Sequence, residues 1–150
     1  MTQQTLFDSR TPILLSLHKK HYDRILNNAK RAEYRLRFPS GKIEAYVYCP
    51  SPHKQVVGVI LLEPAIFLNK EEACRYYQQN DAGEWGVMAN WIGNKKGCYI
   101  SPISRVIPFA TPIDYQTLIA CREFTAPQQW LYLDPKPELL GLLSKAKPTN

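Results

Sequence analysis

The hydrophobic pattern of the chain changes period twice within its first forty residues. Ile13 to Leu17 is a short, nearly continuous apolar run, which predicts a largely buried strand. Tyr22, Ile25 and Leu26 then fall at helical spacing, so a helix is expected to begin around Ser16 to His18. Asn27-Asn28 should stop it, because asparagine tolerates the left-handed conformation that closes a helix. From Lys30 to Phe38 the period becomes two. Ala32, Tyr34, Leu36 and Phe38 alternate with Arg31, Glu33, Arg35 and Arg37, which predicts a strand with one apolar and one charged face.

Pro39-Ser40-Gly41 reads as a turn, and Ile43–Tyr48 and Val56–Glu63 read as strands separated by Pro50-Ser51-Pro52. Val47, Val57, Val59 and Leu61 are expected to face inside. Between Asn69 and Trp91 the pattern is helical, with Asn69 as N-cap, Glu71 and Glu72 in the first turn, and a break at Asp81-Ala82-Gly83. Tyr99–Val106 should be a strand interrupted by Pro102, and Pro112–Ala120 a short helix or structured loop. Gln129–Leu133 reads as a closing strand and Glu138–Leu142 as a helical turn. Strands joined partly by turns and partly by helices point to an α+β domain or a small mixed barrel.

Composition narrows the class. The chain has 150 residues, enough for one core, and its 45% apolar and 21% charged residues resemble a globular domain rather than a disordered one. No apolar run approaches the roughly 18 residues of a membrane span, and Met1 to Arg10 is polar, so a cytoplasmic protein is expected. Cys49, Cys74, Cys98 and Cys121 include no C-x-x-C pair, and are expected to be reduced and mostly buried. Charge is distributed unevenly. Residues 1–60 hold ten Lys or Arg against four Asp or Glu, whereas residues 61–150 hold nine of each, so the net charge of +6 lies in the first part. Such a segment either attracts a polyanion or is a solvated surface.

Lys30, Glu33 and Arg35 are the first chemical candidates, with Arg31 and Arg37 beside them. A carboxylate among cations stays ionised. The group is either an exposed charged ladder or a site in which Lys30 and Arg35 bind an anionic or carbonyl-bearing ligand. In the second case Glu33 accepts a hydrogen bond from a base edge or acts as an acid/base group. His18 and His21 stand three apart without an identifiable third ligand, so no metal site is expected, nor a cofactor. Lys95 and Lys96, between Gly93 and Gly97, form a basic turn that could hold a phosphate but lacks the P-loop order. Trp85, Trp91, Tyr22, Tyr34, Tyr76 and Tyr77 are core residues or a stacking platform for a base. No G-x-S-x-G, H-E-x-x-H or G-x-G-x-x-G is present, which removes the common hydrolase, zinc protease and dinucleotide signatures.

The order of these pieces resembles the ASCH family of PUA-like domains. That family opens with a strand ending near a serine, then a helix, then a G-x-K-x-x-[E/T]-x-R signature. Here Ile13-Leu14-Leu15-Ser16-Leu17 leads through Tyr22 and Ile25 to Asn28-Ala29-Lys30-Arg31-Ala32-Glu33-Tyr34-Arg35. Asn28 replaces the usual Gly. Ser51-Pro52 before Val56-Val57-Gly58-Val59, then Lys95-Lys96-Gly97-Cys98-Tyr99-Ile100, and Ala126-Pro127-Gln128-Gln129-Trp130 also resemble later pieces of the family. The resemblance implies a mostly antiparallel PUA-like β-barrel with helices packed around it over residues 13–135, an N-terminal extension at 1–12 and a C-terminal tail at 136–150. It further implies a basic cleft between the first helix and the barrel, taking RNA, single-stranded nucleic acid or a nucleotide-like ligand, and no membrane. Lys30, Glu33 and Arg35 on the signature, together with Arg37 of the charged strand and Lys95 and Lys96 of the basic turn, are the expected binding residues. The alternatives are a hydrolase of RNA or a modified nucleoside with Lys30 and Glu33 as acid/base pair, and a protein-interaction or regulatory module that binds no nucleic acid. The branch that resembles N-acetylcytidine amidohydrolases carries a nucleophilic Thr where this chain has Glu33, so that activity is not expected.

Overall fold

Both faces of the central strands are apolar, and the structure, a computed structural model describing residues 9–149, buries both. Strand β1 (Thr11–Ser16) lies parallel to β3 (Ile43–Cys49) and antiparallel to β7 (Trp130–Tyr132). Strand β3 pairs antiparallel with β4 (Gln55–Leu62), and β4 with the C-terminal half of β6 (Gly97–Ile113). The N-terminal half of β6 takes β2 (Ala32–Arg35) and β5 (Ile66–Asn69) as antiparallel partners. The path β2-β6-β4-β3-β1-β7 is thus a mixed, mostly antiparallel sheet, curled into a half-barrel.

Three apolar clusters follow. Ile13, Leu15, Val47, Ile60 and Leu62 fill the concave side with Tyr22 and Ile25 of α1 (Lys19–Leu26). Leu14, Tyr46, Tyr48, Val59 and Leu61 point the other way, where α4 (Tyr115–Ala120) and α5 (Pro137–Ser144) cover them through Leu118, Leu139 and Leu143. Val47, Val57, Val59 and Leu61 are therefore all buried, but in two cores. Irregularities in the β4 pairing at Val56/Gly58 and Val47/Tyr48 shift the alternation between Val57 and Val59, and a bulge of this kind has no signature in hydrophobicity. The third cluster packs Ala32, Tyr34, Cys98 and Ile100 under α2 (Lys70–Asp81) and α3 (Trp85–Ile92).

Local rules explain most boundaries. Asn69 and Glu72 exchange side-chain-to-backbone hydrogen bonds in a capping box that starts α2, and Ala82 ends it with a left-handed φ of 50°. Asn28 has φ 61°, the conformation for which glycine is usual at that point. Leu26 lies outside the buried stripe of α1, and the strand expected over Lys30–Phe38 narrows to Ala32–Arg35, with Leu36 and Arg37 exposed. Pro102 interrupts nothing: β6 runs 17 residues through Pro102, Pro108 and Pro112. The helical turn expected over Glu138–Leu142 is the middle of α5, and Thr149 N–H donates to the Pro108 carbonyl at 2.8 Å. Residues 1–8 of the expected N-terminal extension lie outside the described residues, and β1 begins at Thr11. All four cysteines are buried and free, and burial pushes the Cys49 and Cys98 thiols up to about 11. Among the described residues no helix is long and apolar enough to cross a membrane.

Candidate functional site

The half-barrel is open between its edge strands β2 and β7, and side chains bridge the gap. The Arg35 guanidinium donates from Nε to Glu33 Oε1 (3.1 Å), from Nη1 to Gln129 Oε1 (2.8 Å) and from Nη2 to the Ser16 carbonyl (2.9 Å). The Trp130 indole donates to the Arg37 carbonyl at 3.1 Å, with Phe38 packed edge-on against its ring. A cleft of about 390 Å³ opens beside this seam. Its walls come from Ser16 at the end of β1 and Leu17 after it, His21 and Arg24 of α1, Lys30, Glu33 and Arg35 at β2, and Gln128 and Gln129 before β7. Tyr77 and Asp81 of α2 and Met88 and Trp91 of α3 close the remaining side.

Glu33 is the polar centre of this cleft. The alternation that buries Ala32 and Tyr34 under α2 and α3 turns Glu33 the other way, yet the residue is only 3% exposed. Arg35 holds one oxygen. The other, Oε2, accepts no hydrogen bond, and the Lys30 ammonium stands 3.8 Å from it. Lys30 is itself fixed by donating to the Ala32 carbonyl at 2.7 Å, with Nζ 5.1 Å from the Tyr34 ring centroid. An exposed ladder is thus the wrong description of Lys30, Glu33 and Arg35, although it fits the exposed Arg31 and Arg37.

Asp81, 2% exposed, anchors β2 from behind. Its carboxylate accepts from the Arg31 backbone N–H and from the Tyr34 hydroxyl, each at 2.7 Å. Burial, with this hydrogen bond second, raises the Tyr34 phenol above its ordinary range. His21 lines the cleft, and its pKa is lowered by burial first and by the Lys30 charge second, so the imidazole is neutral at pH 7.

Of the expected site residues, Lys30, Glu33 and Arg35 come together. Arg37, Lys95 and Lys96 are exposed and do not line the cleft. Trp91, Tyr77 and Tyr34 line it, Tyr34 with its hydroxyl tied to Asp81, whereas Tyr22 is in the core and Trp85 and Tyr76 lie off the lining. The His18 and His21 rings are 6.4 Å apart, and among the described residues no group of three or more His, Cys, Asp or Glu could hold a metal ion. Sequence reasoning placed Arg24 only within the basic run of the first sixty residues, and missed Asp81, Gln128 and Gln129. Asp81 carried only a turn signal, because its partners lie about fifty positions away in the chain.

No family model and no curated protein matches the chain. Solved structures do. The crystal structure of ASCH from Zymomonas mobilis superposes with a TM-score of 0.78 at 21% identity, covering 93% of this chain and 98% of that one. A serine-to-alanine mutant of the same protein gives 0.77 at 21% identity, with 92% and 98% covered. The N-terminal domain of Staphylothermus marinus McrB gives 0.51 at 8% identity, with 88% and 94% covered. The likeness establishes an ASCH-type, PUA-like fold.

Proposed function

We propose that this chain with the ASCH fold binds a nucleotide unit of single-stranded RNA in the cleft between α1 and the barrel, and that Glu33 reads the base. The observation that carries the reading is the Oε2 of Glu33, which accepts no hydrogen bond although Lys30 stands 3.8 Å away. A buried carboxylate oxygen without a donor is unfavourable by about 1–3 kcal/mol or more, and a ligand N–H that reaches it removes that cost. The exocyclic amino group of a base is such a donor. Lys30 and Arg24 add positive charge for a phosphate, and Trp91, 44% exposed at the rim, offers an aromatic face. The cleft volume is in the range of small-ligand sites.

The test is binding of short RNA oligomers of each base by the wild type and Glu33→Gln, over a range of salt. Phosphate contacts weaken binding with salt by a log–log slope of about 0.7 per contact for single strands. Glu33→Gln should keep that slope and lose discrimination between bases, because base contacts specify and phosphate contacts position. Equal base preference in both proteins would refute the role of Glu33.

A second reading is supported by the neutral imidazole of His21 in the same cleft as Lys30 and Glu33. Such a constellation suits acid/base chemistry in a hydrolase of RNA or a modified nucleoside. Turnover that falls about 100-fold or more in Glu33→Gln with binding intact would favour it over binding alone.

A further inference from the structure

A second concavity, of about 300 Å³, lies at the start of α1 and is lined by His18, Lys19, Lys20, Pro50, Ser51, Pro52 and His53. It shares a wall with the cleft: His18 lines both. The two spaces follow one another along the same turn of chain, since His21, inside the first, has its ring 6.4 Å from that of His18. No acidic side chain lines the second space. Lys19 is held by Asp23 at 2.6 Å, but Lys20 is exposed and has no ion-pair partner among the described residues. The exposed His53 adds an imidazole donor from the opposite loop, which the hydrogen bond from His53 N–H to the Pro50 carbonyl (3.1 Å) folds back on itself. Two features separate this groove from ordinary basic surface. It is concave and it continues a cleft whose polar centre suits a base.

We infer that the groove holds the backbone phosphate of the neighbouring nucleotide, so that the ligand is a strand rather than a free nucleotide. This rests on the proposal that the cleft takes a nucleotide. In this arrangement Glu33 meets the base, His18 stands at the passage between the two spaces, and Lys20 and His53 donate to phosphodiester oxygens. These are charge-assisted contacts to a group that carries no base information. The groove therefore sets affinity and strand length, and the cleft sets sequence.

The experiment compares a nucleoside monophosphate with a four-nucleotide RNA, each titrated against wild type, Lys20→Ala, His53→Ala and Glu33→Gln in the full chain. Lys20 and His53 are exposed, so neither replacement removes core packing, and thermal unfolding confirms that each variant is folded. The expected result is that Lys20→Ala and His53→Ala each weaken the tetranucleotide about 3- to 10-fold. Lys20→Ala should also lower its salt slope by about 0.7, with monophosphate affinity unchanged within twofold. Tetranucleotide binding that is unchanged in both variants, while Glu33→Gln still alters it, overturns the groove and leaves the cleft standing. Monophosphate binding lost together with tetranucleotide binding in Lys20→Ala also overturns it, since the groove would then not be a separate phosphate site. Wild type that binds neither ligand overturns the cleft reading itself. A DNA tetranucleotide bound as tightly as RNA would show that the strand is read without its 2′-hydroxyls, which is expected of the groove and counts against RNA selectivity in the cleft.

Discussion

Replacing Asp81 by Ala tests whether one buried carboxylate fixes the strand that carries Glu33. Asp81 is 2% exposed and accepts two hydrogen bonds at 2.7 Å, from Arg31 N–H and Tyr34 OH. Hydrogen bonds to a charged group contribute about 1.5–3 kcal/mol each, and a donor left buried without an acceptor costs about 1–3 kcal/mol. Tyr34 is itself buried, so water does not readily replace the lost acceptor. Asp81→Ala should therefore destabilise by about 3–5 kcal/mol, a large share of the roughly 5–15 kcal/mol of a typical domain. Tyr34→Phe removes one of the two bonds and should cost about 1.5–3 kcal/mol. Because the two residues share that bond, Asp81→Ala should cost about 1–2 kcal/mol less in the Tyr34→Phe background. Urea unfolding reads all three: the midpoint falls while the slope m stays constant, which marks a change in stability rather than in the unfolded state. Loss of less than about 1 kcal/mol in Asp81→Ala, or additive effects in the double mutant, would refute the anchor.

The remaining predictions concern pH, backbone contact and the Arg35 fork. Burial raises the Tyr22 hydroxyl to about 12, and Tyr34 and Tyr46 are raised as well. The stability they confer is complete below pH 10 and falls as pH climbs from 10 towards 12, because the unfolded phenols ionise first; a urea midpoint equal at pH 8 and pH 11 would contradict this. His21, with its pKa lowered, should titrate below 6.5 in an NMR experiment, and its contribution is present above 6.5 and declines as pH falls below that value. A Cβ on Gly97 would lie 2.0 Å from the Leu68 carbonyl oxygen, whereas one on Gly141 in α5 meets nothing within 4 Å. Gly97→Ala should cost about 2 kcal/mol or more by forcing β5 from β6, and Gly141→Ala should stabilise by about 0.5–1 kcal/mol, both visible in thermal unfolding. Arg35→Lys should lower stability and blur base preference together, since one ammonium cannot serve three acceptors in three directions.

Local signals carried the sequence reading a long way. The apolar run at Ile13, the helical spacing of Tyr22 and Ile25, and the Asn69/Glu72 cap each depend on residues within a few positions of one another, and each element exists. Strand β5 was not legible, because four residues directly before a helix show too little of a period to separate strand from loop. The 17-residue β6 was obscured by its three prolines. Proline lacks the N–H of a ladder, which normally demotes a strand. Pro102 and Pro108 instead offer their carbonyls, to Glu63 N–H at 2.9 Å and to Thr149 N–H at 2.8 Å. In the site, Lys30, Glu33 and Arg35 were legible as neighbours in one short segment. Asp81 and Gln129 were not, since 47 and 94 positions separate them from the Tyr34 and Arg35 groups they meet.

Net charge alone would place a polyanion anywhere on the first sixty residues, but the contacts reduce the choice. The Arg10 guanidinium donates to the Ile43 and Leu62 carbonyls and pairs with Glu63, whose carboxyl it holds below the usual range. Lys19 is paired with Asp23, and Arg35 spends its donors closing the barrel seam. Arg10 and Arg35 are therefore structural, and Lys19 is paired at the surface. Lys30 differs, because its ammonium, bonded to the Ala32 carbonyl and 3.8 Å from Glu33 Oε2, lines a cleft that also holds Arg24. A phosphate alone would gain from Lys30 and be repelled by Glu33, so a simple anion is a poor occupant of this space. A nucleotide is a better one, since it carries a negative group for the cations and an N–H donor for the carboxylate on the same molecule. At the opening between β2 and β7 the Glu33 charge is compensated from two sides, by Arg35 at one oxygen and by Lys30 3.8 Å from the other, while Oε2 still accepts no hydrogen bond.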